Sequence, residues 1–465
     1  MRILIRNGNV VSGSAVQKKD ILTDGEKIVK IADVISENAD QVIDAAGKYV
    51  FPGFIDAHTH LGLHVGGTVT SDNWATGTAA ALAGGTTMVI DFGTQYHGET
   101  LKEGLANWHA MAGADGPCSA DYSYHMSISE WNDSVKDEVD DMIDEGITTF
   151  KIYMTYPAMM LGDGEIYEVL KKLKEVGSFT GCHCENAGVI DALIAEQKAL
   201  GNLGPSAHPA SRPPEMEAEA VHRLLVIAKE ADAPVMVVHT TNELALNEIK
   251  AARAAGQEVY CETCPQYLFL DKSMYEKPGF EGARYVCAPP LRTKHDQEVL
   301  WEAIRTGVVD TVMTDHCDFN LAQRDLGRDD FTKIPGGLPG IETRVNLIFS
   351  EGVGKGRISP ECACRVMAEN PAKLYGLYPQ KGVLAEGSDA DIVIIDPERE
   401  MTVTAADWVT NCDNTPYEGM KLKGTVEKVF LRGTLAVDDG KLIRRGLGRF
   451  IRRSLPDYRH REYED

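Results

Sequence analysis

The chain has 465 residues, 43% hydrophobic and 25% charged, which suits a large globular core and excludes a low-complexity or fibrous protein. Lysine and arginine total 47 against 70 aspartates and glutamates, and this formal net charge of −23 argues against a nucleic-acid groove or an anionic lipid surface. No apolar run approaches the ~20 residues that span a bilayer, residues 1–8 carry no secretory h-region, and ten scattered cysteines read as reduced thiols; a cytoplasmic protein without membrane or nucleic-acid partners is expected.

In chain order, the first elements are short strands at residues 3–5, 27–31 and 49–51. They are broken by Asn7-Gly8, Asp24-Gly25 and Ala46-Gly47. Eight further strands follow at 54–58, 86–91, 121–126, 148–153, 179–183, 234–239, 258–262 and 311–315. Helical patterns lie between most of them, for example at 166–176, 215–231, 243–255 and 297–306. Eight strands alternating with helices predict a TIM-type (β/α)8 barrel over residues 52–374. A doubly wound open sheet is the alternative, but no Gly-rich phosphate loop follows the first strand. The chain ends in strands at 391–395, 425–431 and 435–437, with turns at Arg432-Gly433 and Asp439-Gly440. Residues 1–51 and 375–465 are therefore expected to form one small β-sandwich domain from both termini.

Several barrel strands end in a residue able to bind a metal. The first ends in His58-Thr59-His60, the fourth carries Lys151, and the fifth, sixth and eighth end at His183, His239 and Asp315. Strand C-termini converge on one face of a barrel, so these residues would meet in space. His58 and His60 stand two apart, and extended backbone points both rings the same way. Imidazole and carboxylate suit zinc, manganese or iron. Lys151 has two readings: an ion pair with a nearby acid, or a neutral amine that captures carbon dioxide and bridges two cations as a carbamate. Other groups read more plainly. Cys261 and Cys264 have zinc spacing but no second cysteine pair, so they read as packed thiols, as do Cys182 and Cys184. Cys317 lies close to the site in sequence, without a nucleophile's setting. His125 reads as a core histidine, His316 as an orienting group at most, and His64 as a loop residue facing substrate or water. The basic stretch 444–453 reads as a salt-bridged tail or a subunit contact.

Taken together, certain stretches resemble the hydantoinase/dihydropyrimidinase family of the amidohydrolase superfamily. They are Pro52-Gly53-Phe54-Ile55-Asp56-Ala57-His58-Thr59-His60, Gly84-Gly85-Thr86-Thr87, Phe150-Lys151-Ile152-Tyr153 and His183-Cys184-Glu185-Asn186. Residues 208–213, Glu262-Thr263-Cys264-Pro265-Gln266, Thr314-Asp315-His316-Cys317, Asn370-Pro371-Ala372-Lys373 and residues 387–391 add to them. The resemblance covers nearly the whole chain. It implies two divalent metal ions, with zinc expected and manganese or iron possible alternatives. His58, His60 and Asp315 would hold the more buried ion and His183 and His239 the more exposed one, with Lys151 as N6-carboxylysine bridging both. Tyr156, five residues after Lys151, matches the tyrosine that hydrogen-bonds the attacked carbonyl, and Asp315 would shuttle the proton. Ala288 and Gly336 stand where the family usually has Ser and Asn, residues that contact substrate largely through backbone groups. The loops at 62–67 and 154–161 would shape the pocket around the ring substituent. The implied reaction is hydrolysis of a small cyclic amide to an N-carbamoyl amino acid, in a homotetramer, with a dimer as the alternative. An allantoinase or dihydroorotase is the alternative enzyme. A metal-free scaffold relative is the alternative of another class, although all six ligand positions are filled here.

Overall fold

The computed structural model describes residues 1–457; residues 458–465, the end of the expected 375–465 segment, lie outside the described residues. Strands from both ends of the chain join one nine-stranded sheet. Arg2–Val11 pairs antiparallel with Val16–Asp24 and parallel with Gln41–Asp44 and Tyr49–Pro52. Tyr49–Pro52 then pairs antiparallel with Ile392–Thr402, which continues through Lys421–Leu431 and Thr434–Asp438 to Lys441–Leu442. Ile3, Ile5, Ile21 and Ile28 share a buried core with Ile392, Ile394 and Phe430. Each such side chain contributes roughly 1.5–3 kcal/mol when fully buried, so each terminus depends on the other for its apolar face.

Eight parallel strands form the second sheet, in chain order: Phe54–Thr59, Thr86–Thr94, Asp121–Ser127, Phe150–Tyr153, Thr180–His183, Val235–Val237, Val259–Thr263 and Thr311–Val312. Just past the last strand, the His60 amide donates to the His316 carbonyl (2.8 Å) and the His316 amide to the His58 carbonyl (3.3 Å). These bonds join the eighth strand's extension to the first and close the sheet into a TIM-type barrel. Ile55, Ala57, Met88, Ile90, Phe179, Met236, Val238, Tyr260 and Met313 fill the inside, which is a packed core rather than a pore. The outer helices start where capping chemistry places them. Pro214 opens Pro214–Ala231, the Asn242 side chain caps Glu243–Ala254, and Thr293 with Asp296 makes a capping box on Lys294–Arg305.

Two barrel strands are shorter than the sequence suggests. The sixth stops at Val237 and the eighth at Val312, because His239 (φ 39°) and Asp315 (φ 51°) adopt left-handed backbone that leaves the strand ladder.

A buried cluster ties the barrel to the terminal sheet. The Lys381 ammonium donates to Asp121 of the third barrel strand (2.8 Å) and to Asp391 (2.6 Å), with Asp389 at 3.2 Å. The basic tail is salt-bridged. Arg449 pairs with Glu26 (2.7 Å) and Arg452 with Glu145 (3.0 Å), while Arg453 is buried and donates to Ser123 (3.0 Å) and Thr149 (2.8 Å). Among the described residues no helix is long and apolar enough to cross a membrane.

Candidate metal centre

The side chains expected at the strand ends meet at the C-terminal mouth of the barrel. Asp315 Oδ1 lies 3.2 Å from His58 Nε2 and 3.2 Å from His60 Nε2, so three metal-binding groups face one point. The His58 and His239 ring centroids are 5.5 Å apart, and those of His239 and His183 are 4.5 Å apart. The Tyr156 ring stands 5.0 Å from His183. Seven non-glycine residues have positive φ among those described, and three are Tyr156 (70°), His239 (39°) and Asp315 (51°). Such backbone costs about 1–3 kcal/mol per residue and persists where the surroundings enforce it, a pattern common at functional sites. Around Tyr156 the enforcement is visible. Its carbonyl accepts from the Met159 (2.8 Å) and Met160 (2.9 Å) amides, while Leu161 N–H reaches back to Tyr153 (3.1 Å).

Lys151 is buried on the fourth strand, its Nζ 4.9 Å from the Phe92 ring centroid and 5.4 Å from that of Tyr153. Among the described residues no carboxylate lies within 4.0 Å of it. The ion-pair reading of Lys151 therefore falls away. Burial pushes its pKa down, which favours the neutral amine, while Glu262 and Asp315 act in the opposite sense.

Carboxylates that carry no role in the sequence reading hold the candidate ligand histidines. Glu262 Oε1 lies 2.6 Å from His58 Nδ1 and also accepts the His239 amide (3.2 Å). With Nδ1 held by Glu262, Nε2 is the ring atom that faces Asp315 and would bind a metal in place of its proton, an arrangement typical of metal-bound histidine. Burial opposes charge on His58, but Glu262 and Asp315 outweigh it and hold its pKa up at about 9. Glu185 Oε2 lies 2.7 Å from His183 Nε2 and accepts from Arg212 (2.6 Å). Burial alone would raise Glu185, yet Arg212 and His183 bring it down to about 2, so it is a carboxylate. Asp91, inside the second strand, accepts from the Thr59 hydroxyl (2.8 Å) and the Leu61 amide (2.8 Å), gripping the chain on either side of His60. Only Glu185 follows a strand that ends in a candidate ligand; Glu262 and Asp91 stand on the seventh and second strands, which carry none.

The donor set fits metal. Among the described residues His239 Nδ1 is buried without a hydrogen-bond partner, and burial, with His183 and Lys151, pushes this ring well below its usual range. A neutral imidazole with an unused ring nitrogen is a ready ligand. Asp315 is held well down; burial would raise it, but His58 and His60 prevail. His58, His60, Asp315, His183 and His239 can therefore hold divalent metal.

Other candidates take different places. The Ala288 and Gly336 segments adjoin each other through the Gly337 amide, which donates to Val286 (2.9 Å). The Gly336 carbonyl faces Cys317 Sγ (3.7 Å), two residues past Asp315. His125 is a core histidine between Thr149 (2.6 Å) and the Ala57 carbonyl (3.0 Å). His316 turns away from the centre toward Asp72 (3.2 Å), and its Nδ1 accepts the Gly340 amide (3.1 Å). His64 is exposed on a small hairpin. All ten cysteines are free and buried, Cys261 and Cys264 included.

Fold and site together define a metal-dependent barrel hydrolase. The chain belongs to the amidohydrolase family, whose model matches residues 49–436, and within it to the hydantoinase/dihydropyrimidinase group. It is 44% identical over 458 residues to a D-hydantoinase of Geobacillus stearothermophilus, covering 98% of this chain and 97% of that one. Against a D-phenylhydantoinase of Escherichia coli O7:K1 it is 41% identical, covering 97% and 98%. The solved dihydropyrimidinase of Brevibacillus agri superposes with a TM-score of 0.96 at 44% identity, covering 98% of this chain and all (100%) of that one. The L-hydantoinase of Arthrobacter aurescens gives 0.88 at 31%, covering 97% and 99%.

Proposed function

We propose that this cyclic amidohydrolase opens the ring of hydantoins or 5,6-dihydropyrimidines by hydrolysis and releases N-carbamoyl amino acids. The observation that carries the reading is the convergence of His58, His60 and Asp315 at 3.2 Å beside His183 and His239 in the barrel mouth. His58, His60 and Asp315 would hold one divalent ion, expected to be zinc, and His183 and His239 a second. Lys151, buried with no acid partner among the described residues, would join them as its carbamate, the product of its neutral amine and carbon dioxide. Bound there, the ions supply Lewis-acid polarisation of a carbonyl and make water a strong nucleophile near neutral pH.

This chain's own residues do the rest. Asp315 accepts a proton from the attacking water and delivers it to the leaving ring nitrogen. The Tyr156 hydroxyl donates to the oxygen of the attacked carbonyl, where each good donor is worth roughly 3–4 kcal/mol. Backbone groups at Ala288 and Gly336 hold the ring's amide edge. Water is thereby split across the C–N bond, hydroxyl to carbon and proton to nitrogen. The loops at 62–67 and 154–161 frame the ring substituent and would set the stereochemical preference. A cytoplasmic homotetramer is the working form we favour; Val189, Leu200 and Leu203 are exposed apolar side chains available for subunit contacts.

The test is Asp315→Asn, assayed with dihydrouracil and phenylhydantoin. Turnover should vanish; near-normal rates would remove Asp315 as the proton carrier. Allantoin and dihydroorotate run in parallel separate the neighbouring cyclic amidases.

A further inference from the structure

Arg212 enters none of the chemistry above, yet it touches two parts of it at once. It follows the short helix Ala207–Ser211. Its backbone is pinned, because the Arg212 carbonyl accepts from Arg292 Nη1 (2.6 Å), and Arg292 is itself anchored on Glu217 (3.0 Å) and Thr241 (2.9 Å). Its side chain is nearly buried. Nη1 donates to Glu185 Oε2 at 2.6 Å, and the same oxygen lies 2.7 Å from His183 Nε2. The guanidinium carbon also lies 5.8 Å from the centroid of the Tyr156 ring. Since that ring stands 5.0 Å from the His183 ring, the contacts close into a circuit: Tyr156, Arg212, Glu185, His183 and back to Tyr156.

We infer that Arg212 is a positioning residue that fixes the Tyr156 ring directly and the orientation of the His183 imidazole through Glu185.

 The guanidinium holds the phenol ring directly and, through the carboxylate, keeps His183 Nε2 occupied, leaving Nδ1 as the ring nitrogen that would serve a metal. Three physical points support this. Tyr156 sits on left-handed backbone (φ 70°), so its ring direction needs outside support. A guanidinium over an aromatic face is attractive only in a limited range of ring orientations, and it is worth about 0.5–2 kcal/mol. Glu185 is fully buried, and its second oxygen has no hydrogen-bond partner among the described residues. Without Arg212 the carboxylate would be a buried charge left with His183 alone, and the pair would rearrange. The inference rests on the proposed roles of Tyr156 and His183.

The test uses the metal-loaded full chain and four variants: Arg212→Gln, Arg212→Lys, Tyr156→Phe and the Arg212→Gln/Tyr156→Phe double. Two quantities are read: steady-state kinetics on phenylhydantoin, and metal retained per chain along a chelator series. Arg212→Gln should lower kcat about 10–100-fold, the usual range for groups that orient a metal ligand, with KM changed far less. Arg212→Lys keeps the charge and should recover part of that loss. In the Tyr156→Phe background the Arg212→Gln penalty should shrink several-fold, and Arg212→Gln should release metal at lower chelator than the parent protein. Fully additive kcat losses, or metal retention equal to the parent, would overturn the inference while leaving the proposed function standing. Parental turnover in Tyr156→Phe would instead remove the role of Tyr156, and this inference with it.

Discussion

Glu262 offers the sharpest test of how the protein prepares its metal site. Its Oε1 lies 2.6 Å from His58 Nδ1, both residues are buried, and the same oxygen accepts the His239 amide at 3.2 Å. One carboxylate oxygen thus steers two of the candidate ligands. Glu262→Gln keeps an acceptor for the Nδ1 proton but removes the charge that, against burial, holds His58 at about 9. Glu262→Ala removes the acceptor as well. Losing such a partner weakens metal binding by about 10–100-fold, or roughly 1.4–2.8 kcal/mol. Glutamine belongs near the lower end of that range and alanine near the upper. Metal content after dialysis against a graded chelator series measures this, and zinc added back during catalysis should restore much of the lost activity. If both variants hold metal as tightly as the parent, Glu262 does not orient His58 and the reasoning fails.

Two predictions concern stability. Lys381 is buried among Asp121, Asp389 and Asp391, so Lys381→Met should cost about 3–5 kcal/mol in chemical denaturation, because it strands buried carboxylates; a loss under 1 kcal/mol would show that the cluster does not join barrel to terminal sheet as argued. Glu342 is pushed by burial from 4.5 up to about 7, although the Val409 and Thr410 amides pull it back. Its folded form therefore binds the proton more tightly than the unfolded chain, so stability falls as pH rises from about 4.5 to about 7, by up to roughly 3 kcal/mol. Glu342→Gln should flatten that part of the stability–pH curve, and an unchanged slope would contradict the assignment.

Much of this was legible because the barrel strands are apolar runs ending in chemically unusual residues. All eight appear within a few residues of the expected positions, and the side chains that the resemblance implied as ligands lie together in the barrel mouth. The misses have physical causes. Val16–Asp24 opens with Gln17, Lys18 and Lys19, which hide a strand whose later residues are buried. The early ends of the sixth and eighth strands follow from left-handed backbone at His239 and Asp315, and nothing in those residue types announces it. Glu262, Glu185 and Arg212 lay inside motifs already noted, but their roles depend on contacts across 204, 2 and 27 residues of chain respectively. Only Glu185 is a local neighbour of the group it holds. The fate of Lys151 turned on an absence, since the sequence could not say whether an acid would stand beside it.

The most direct measurement is the metal content of the purified protein, paired with hydrolysis of dihydrouracil and phenylhydantoin before and after chelation. The account predicts about two divalent ions per chain and ring opening that is lost on chelation and restored by metal with bicarbonate. Protein that binds no metal and turns over neither substrate, even after zinc or manganese and bicarbonate are supplied, would contradict it.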